Sequence, residues 1–459
     1  MIVISAWFFK GCLMQLRKLP LVTVLKPNFS PCNPYSKHAG WLLFFILLYS
    51  TIGFGQDTIT IRTRPCVQTD LQEIVRKWRH KPPPKKVNKN HSLLLIPSAG
   101  ANPSSGFMLG AAGQYVTREK RKNSLYSFIQ GNVFITTKKQ LLLQAKSNIY
   151  AHNDRILLTG DWRFFIFSQN TYGLSTSAPE NGTLKRQYDL SGFDVGLDSL
   201  VQPMKFNHLR FYQTVSWKIK EQPLYIGAGY HLDFYSNITD NKLDTANKML
   251  TSHYLYSTAY GYNQYKYAVS GISANITGDS RDNQVNARKG YFFNINWRLN
   301  PHFLGSTHNS TQLNLEWRSF HSVSKTDNRK TVGFWFIGNF SQAGKLPYLA
   351  LPSLGYDQRG RAGRGYTQGR FRGPNMLYAE SEYRFPISDC GGIFSGVAFV
   401  NITTADNAEK SVKLFQNVAP GIGAGLRIMV DKLSKTNLQI DFGVGRKSVG
   451  VYIGVAETF

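Results

Sequence analysis

Hydrophobic and polar residues alternate one by one along most of this chain. Between 289 and 300, Tyr291, Phe293, Ile295, Trp297 and Leu299 take one parity, and Asn294, Asn296, Arg298 and Asn300 take the other. Successive side chains of a strand point to opposite faces, so this segment is a strand with one aromatic, apolar side and one wet side. Leu209, Phe211, Val215, Trp217 and Ile219 oppose His208, Arg210, Thr214, Ser216 and Lys218 in the same way. Leu313, Leu315 and Trp317 likewise oppose Asn314, Glu316 and Arg318. A soluble sandwich also alternates, but repeated aromatic faces set against amide and charged faces fit strands between lipid and a wet lumen.

The pattern predicts strands at 92–101, 106–117, 124–137, 139–151, 154–168, 204–219, 223–236, 264–278, 289–299, 310–322, 331–343, 376–387, 392–402, 418–430, 436–446 and 449–459. With the amino end on the periplasmic side, the long connections 169–203, 237–263, 344–375 and 403–417 all fall outside, and short ones such as 220–222, 388–391 and 431–435 fall inside. Long external loops and short periplasmic turns are the rule in outer-membrane barrels. The expected fold is therefore all-β: a sixteen-stranded antiparallel transmembrane β-barrel over 92–459 with a short amino-terminal periplasmic arm.

Ahead of the strands, Trp41 to Tyr49 reads WLLFFILLY, preceded by Lys37 and followed by small and polar residues through Gly55 and Gln56. The run is short for a spanning helix, which needs about 20 residues. A basic flank, a short apolar centre and a small-residue exit describe a secretory signal within 1–56, cleaved near Gln56. Residues 57–91 are polar and basic, with Pro82, Pro83 and Pro84 followed by Lys85 and Lys86. A segment below roughly 40 residues seldom buries a core of its own. It is expected to be an arm, with one helical turn around Leu71 to Trp78.

Composition sharpens this picture more than it changes it. The chain is 42% hydrophobic and 14% aromatic, as expected when every second strand residue meets lipid. A formal charge of +27 raises the question of nucleic acid. The charges are spread along strands and loops, and Lys10, Arg17, Lys18, Lys26 and Lys37 lie in the export segment. Cys12 and Cys32 also lie there, and Cys66 and Cys390 are too far apart for metal spacing. No metal or other cofactor is expected. The segment Arg359 to Tyr366, RGRAGRGY, has the look of an RNA-binding arginine–glycine repeat, but an exported chain meets little RNA, and no nucleic-acid partner is expected. Gly421 to Gly425 lacks the spacing and following helix of a dinucleotide fingerprint. G-x-S-x-G, H-E-x-x-H and Walker motifs are absent from the sequence. His208 and His231 fall on polar strand faces and are read as wall residues.

Several motifs, in order, carry a resemblance. Arg364-Gly365-Tyr366 is followed by the strand Glu380-Ser-Glu382-Tyr-Arg-Phe-Pro-Ile387. Earlier come Asp279-Ser-Arg281-Asp282-Asn283 and, closing the same turn, Lys289-Gly290; later come Gly421-Ile-Gly-Ala-Gly-Leu-Arg427 and the terminal Phe459. Together they resemble the BamA/TamA outer-membrane barrels, the bacterial surface antigen family, over roughly 92–459. The resemblance implies that the Arg-Gly-Tyr loop folds into the lumen and that Arg364 engages acidic wall residues. Tyr378, Glu380, Glu382 and Arg384 share one strand face, so Glu380 and Glu382 are the expected partners. Asn401 stands where the family usually has an aspartate, so that charge partner of Arg364 is expected to be missing. A final strand with Val449, Val451, Ile453, Val455 and Phe459 on one face resembles the family's carboxyl-terminal recognition strand. Glu457 breaks that face near the membrane edge.

By resemblance, the function is insertion or translocation of proteins or lipids at the outer membrane, without an enzyme active site. Expected partners are outer-membrane lipids and client membrane proteins or a periplasmic protein. The arm is too short for even one of the POTRA domains that receive clients in family members that insert proteins. A passive pore, a membrane anchor for a periplasmic partner and a lipid-active enzyme are the other classes; a loop in the lumen speaks against the first, and a Ser–His pair is required for the last. The seam between 92–101 and 449–459 is expected to be the weakest joint, because Pro97 cannot donate to a ladder and Gly100, Gly450 and Gly454 weaken strand interiors.

Overall fold

The computed structural model describes residues 69–82 and 91–459, apart from 103–104, 121–123, 178–200, 248, 326, 328, 359, 390, 409–410 and 433. The export signal, most of the 57–91 arm, Arg359 and all four cysteines lie outside the described residues.

Among the described residues sixteen strands form one sheet in sequence order: β1 (His91–Asn102), β2 (Gly106–Thr117), β3 (Ser127–Thr136), β4 (Leu141–Ala151), β5 (Ile156–Thr171), β6 (Gln202–Lys218), β7 (Leu224–Asp240), β8 (Tyr267–Asp279), β9 (Gly290–Asn300), β10 (Ser310–Ser322), β11 (Thr331–Gly344), β12 (Asn375–Pro386), β13 (Phe394–Ala405), β14 (Ala419–Asp431), β15 (Thr436–Gly445) and β16 (Ser448–Val455). Each strand pairs antiparallel with the next, from β1 with β2 through β15 with β16. No helix among the described residues is long and apolar enough to cross a membrane.

The sheet is apolar outside and polar inside. Leu95, Trp217, Ile422, Phe442 and Val449 are all more than half exposed, while His208, Asp233, Arg298, Glu382 and Asp441 are buried on the opposite parity. Water would penalise such a skin by roughly 25 cal/mol for each Å² of apolar surface, a penalty that disappears in hydrocarbon. The sequence alternation is the chemical trace of this inversion.

The ring is brought round but not stitched. β1 and β16 lie side by side, close enough that a Cβ on Gly100 would sit 3.3 Å from the Ile453 carbonyl oxygen. No ladder joins them in the strand order. The expected pairing of 92–101 with 449–459 is thus corrected, for two physical reasons. Pro97 offers β16 no donor. Arg361 instead donates through Nη2 to the Val455 carbonyl at 2.9 Å and through Nη1 to that of Ala456 at 3.3 Å.

The last strand is also shorter than expected. β16 ends at Val455, and Ala456 turns the chain inward at a φ of 76°. Its amide donates to the Asn437 carbonyl at 2.8 Å. The shared outward face therefore stops early: Val451 is exposed and Ile453 half-buried, but Val455 and Phe459 are buried. Glu457 is drawn into the interior by Arg427, whose Nε lies 2.8 Å from its Oε2.

Helix α1 (Leu71–Trp78) starts at Asp70, whose Oδ1 accepts from the Glu73 amide at 2.8 Å while its Oδ2 takes the Lys432 amide at 3.1 Å. That cap fixes the helix to the periplasmic turn after β14 and satisfies donors the helix leaves open. Lys432 also hydrogen-bonds Glu73 at 2.7 Å, which holds that carboxyl below its ordinary range. Leu71, Ile74, Val75 and Trp78 form one stripe with none of it buried, beside the basic Arg76, Lys77 and Arg79. An apolar stripe flanked by cations at a membrane edge has the character of an interfacial helix.

Candidate functional site

The lumen is occupied by the connection 345–374. Its entry is packed beneath a tyrosine-rich cap at the outer mouth, where helix α2 (Ser252–Ala259) begins at Thr251, whose hydroxyl accepts from the Tyr254 amide at 3.2 Å. Tyr256 and Tyr262 donate to the carbonyls of Leu346 and Lys345 at 2.8 and 2.7 Å. With Tyr235, Leu250, Leu255, Tyr267 and Tyr348 they make one buried cluster.

From there the loop descends to Arg364, which is 1% exposed and brings three carboxylates together. Its Nη2 lies 2.6 Å from Glu380 Oε1 and 2.5 Å from Glu382 Oε2, and its Nη1 lies 2.7 Å from Asp441 Oδ2. The guanidinium also lies over the Phe399 ring at 3.5 Å. A planar cation with several donors can meet several carboxylates at once, which an ammonium cannot do with the same geometry. Glu380 and Glu382 come from alternate positions of β12, the strand that the loop itself leads into, so the pairing is local in the fold.

Gly365 and Tyr366 complete the dock. Gly365 has a φ of 108°, and a Cβ there would meet the Val444 carbonyl carbon at 2.9 Å. Both the conformation and the approach of β15 require glycine. Tyr366 donates to the Pro420 carbonyl at 2.6 Å and accepts from the Arg446 amide at 2.9 Å. Tyr452 of β16 clasps the same turn, accepting from the Gly365 amide at 3.0 Å and donating to the Tyr366 carbonyl at 2.8 Å. Further along, Arg163 donates to the Asp357 carbonyl at 2.9 Å and Gln169 to that of Gln368 at 2.8 Å.

Asp441 is a partner that the sequence reading missed. The position of Asn401 is resolved by the same geometry: its amide donates to the Arg364 carbonyl at 2.9 Å, and the third carboxylate comes from β15. Arg427 of β14 extends the network, joining Asp441 to Glu457 of the tail. Arg384 joins Glu382, through its Nε at 2.7 Å, to the Phe459 carbonyl, through Nη2 at 3.1 Å. Phe459 stacks on Trp335 and Phe320 with ring centroids 5.3 and 5.9 Å away. The loop motif and the carboxyl terminus, read separately in the sequence, belong to one charged cluster.

The other turn motif closes the periplasmic end. Asp279 receives Arg281 through Nε and Nη2 at 2.9 and 2.8 Å, and the Tyr150 hydroxyl at 2.7 Å. Asp282 accepts from the amides of Arg288 and Lys289 at 2.8 and 3.2 Å, and Gly290 (φ of 95°) leads into β9 where a Cβ would strike the Ser280 carbonyl oxygen at 2.3 Å. This shape folds 283–287 inward: Val285 packs against Val116 and Ala456, and Ala287 takes a hydrogen bond from Arg384 at 3.2 Å.

Between cap and turn, the free space beside the loop includes chambers of about 270 and 190 Å³. The larger holds Asp233, which accepts from His208 and Arg210, each at 2.9 Å, and from Tyr212. His231 on its wall contacts a serine, Nε2 lying 2.7 Å from Ser273 Oγ. Among the described residues His231 Nδ1 has no hydrogen-bond partner, so the carboxylate that orients the histidine of a nucleophilic triad has no counterpart among them. Among the described residues no cluster of His, Cys, Asp and Glu is arranged to hold a metal.

The Omp85 superfamily domain matches residues 168–448. No curated protein matches the sequence. Among solved structures, BamA from Haemophilus ducreyi lacking POTRA domains 1–3 is similar at 14% identity and a TM-score of 0.49, covering 80% of this chain and 70% of that one. CdiB from Acinetobacter baumannii is similar at 12% identity and a TM-score of 0.47, covering 80% of this chain and 59% of that one. CdiB from Escherichia coli stands at 11% and 0.48, covering 82% and 63%. This chain thus spans less than two thirds of the length of either CdiB.

Proposed function

Because the chain belongs to the Omp85 superfamily of outer-membrane β-barrel proteins, we propose that it inserts or translocates protein or lipid at the outer membrane, by a sideways route between lumen and bilayer. The observation that carries this reading is the unstitched seam: β1 and β16 abut without a ladder. A cap, a docked loop and an inward-folded turn occupy the axial path, which supports a lateral route over a passive pore. Backbone groups at a strand edge facing hydrocarbon are costly unless satisfied. Arg361, a side chain of the lumen loop, holds the carbonyls of Val455 and Ala456 where β16 ends, so the loop is coupled to the end of the seam. The carboxylate cluster around Arg364 sets the resting state, and a client strand or lipid head group that supplies hydrogen bonds at the end of the seam would compete with Arg361 for the Val455 carbonyl.

Cysteine pairs scanned along β1 around Gly100 and along β16 around Ile453, with the native cysteines replaced, test this. In vesicles, the oxidised barrel is expected to lose movement of a fluorescent phospholipid and insertion of an unfolded barrel client, and reduction to restore both. Equal activity of the locked and unlocked forms in both assays would show that the seam is not the route.

A further inference from the structure

The lipid-facing wall beside the seam carries a trough that the strand registers build. Across β1 to β6, Leu95 faces Gly113, Gly113 faces Gly131, Gly131 faces Ala145, Ala145 faces Trp162, and Trp162 faces Phe211. The ends of this row are bulky and exposed or half-exposed, and its middle has almost no side chain. Neighbouring strands are about 4.8 Å apart, so the bare stretch is on the order of 15 Å wide. The resulting groove has a volume of about 840 Å³ and an apolar lining.

We propose that this trough binds the acyl chains of a glycerophospholipid from the periplasmic leaflet. Its volume is within the range of ligand sites, about 300 to 1,000 Å³, and on the scale of a diacyl lipid rather than the broader many-chained lipid A. Charge supports the same leaflet. The periplasmic ends of these strands carry exposed Arg118, Lys120, Arg155 and Lys220. Of the nearby acids, Glu119 accepts from the Asn153 amide at 3.1 Å and Asp154 from that of Leu125 at 3.4 Å, while exposed Glu221 offsets its neighbour Lys220 and leaves Arg118, Lys120 and Arg155 as the basic rim. Gly113 is five positions from Arg118 along β2, roughly 16 Å at the rise of a strand. That is about half of a 30 Å hydrocarbon core, so a phosphate at the basic rim places its chain ends in the trough. The site goes beyond the lateral-route reading and does not depend on it, since a lipid can be held whether or not the seam opens.

The test is native mass spectrometry of the intact protein released from membranes into mild detergent. A phospholipid is expected to remain bound through delipidation. Gly131→Leu with Ala145→Leu fills the trough outward, and Gly131 accepts a Cβ at ordinary contact, 3.6 Å from the Gln144 carbonyl oxygen. The double variant is expected to keep the gel mobility shift of a folded barrel and to lose the lipid. Arg118→Ser with Arg155→Ser is expected to weaken retention of anionic phospholipid most. The proposal is overturned by any of three results: retained lipid A, equal retention in the filled and open barrels, or a wild-type dimer that the filled variant breaks.

Discussion

Arg364→Ala is expected to release the 345–374 loop from the lumen and to destabilise the docked state by on the order of 3 to 5 kcal/mol, the usual cost of removing one side of a buried ion pair. The magnitude rests on what is left behind. Glu380, Glu382 and Asp441 are each within 2.7 Å of the guanidinium and have fully buried side chains, so its removal takes a partner from three carboxylates at once. Arg384 and Arg427 still reach Glu382 and Asp441, but Glu380 keeps only the Tyr378 hydroxyl, at 2.6 Å. Arg364→Lys should fall between, since it restores a charge without the planar fork. A cysteine at Thr367, probed with an impermeant maleimide on cells, measures the effect: slow labelling with Arg364 present and fast labelling without it. Equal rates in the two would show that these pairs are not what holds the loop.

Phe459→Ala is expected to lower the stability of the folded barrel by about 3 to 5 kcal/mol, as for other buried aromatic truncations. The terminal ring is 2% exposed, stacks on Trp335 and Phe320 and has Arg384 over its face. Packing is one account of why the terminus matters; reading of the end by assembly machinery is the other. Refolding from urea into pure lipid vesicles separates them, because no machinery is present. A lowered unfolding midpoint there supports packing. An unchanged midpoint, with less assembled protein in cells, supports recognition and removes the packing account.

How much of this was legible in the sequence depends on the range of each interaction. β2 and β10 fall on their expected limits because small or polar residues bound both, Gly106 and Thr117 for the first and Ser310 and Ser322 for the second. Helix α1 was visible in the spacing of Leu71, Ile74, Val75 and Trp78. The partners Glu380 and Glu382 could be read because the family resemblance sets Arg364 against acidic wall residues and these two share a face of the strand that follows it. Asp441 could not: it is 77 residues away, and only the ring brings β15 across from β12. Alternation runs smoothly from Val449 to Val455 and gives no sign that Ala456 adopts a left-handed φ, a conformation a sequence announces when glycine or asparagine holds it. Asn401 was read as a lost charge because a family position was compared without its neighbours, whereas the charge resides on an adjoining part of the wall.

The occupied lumen has an electrical meaning. Ions crossing this barrel along its axis would have to pass the tyrosine cap, the arginine-pinned loop and the 283–287 turn, through chambers that include those of about 270 and 190 Å³. In a planar bilayer under voltage, the intact protein should behave as an insulator. Current would appear as brief, separate events, each marking a moment when Arg364 has left its carboxylates, and their frequency would report the undocking equilibrium one molecule at a time.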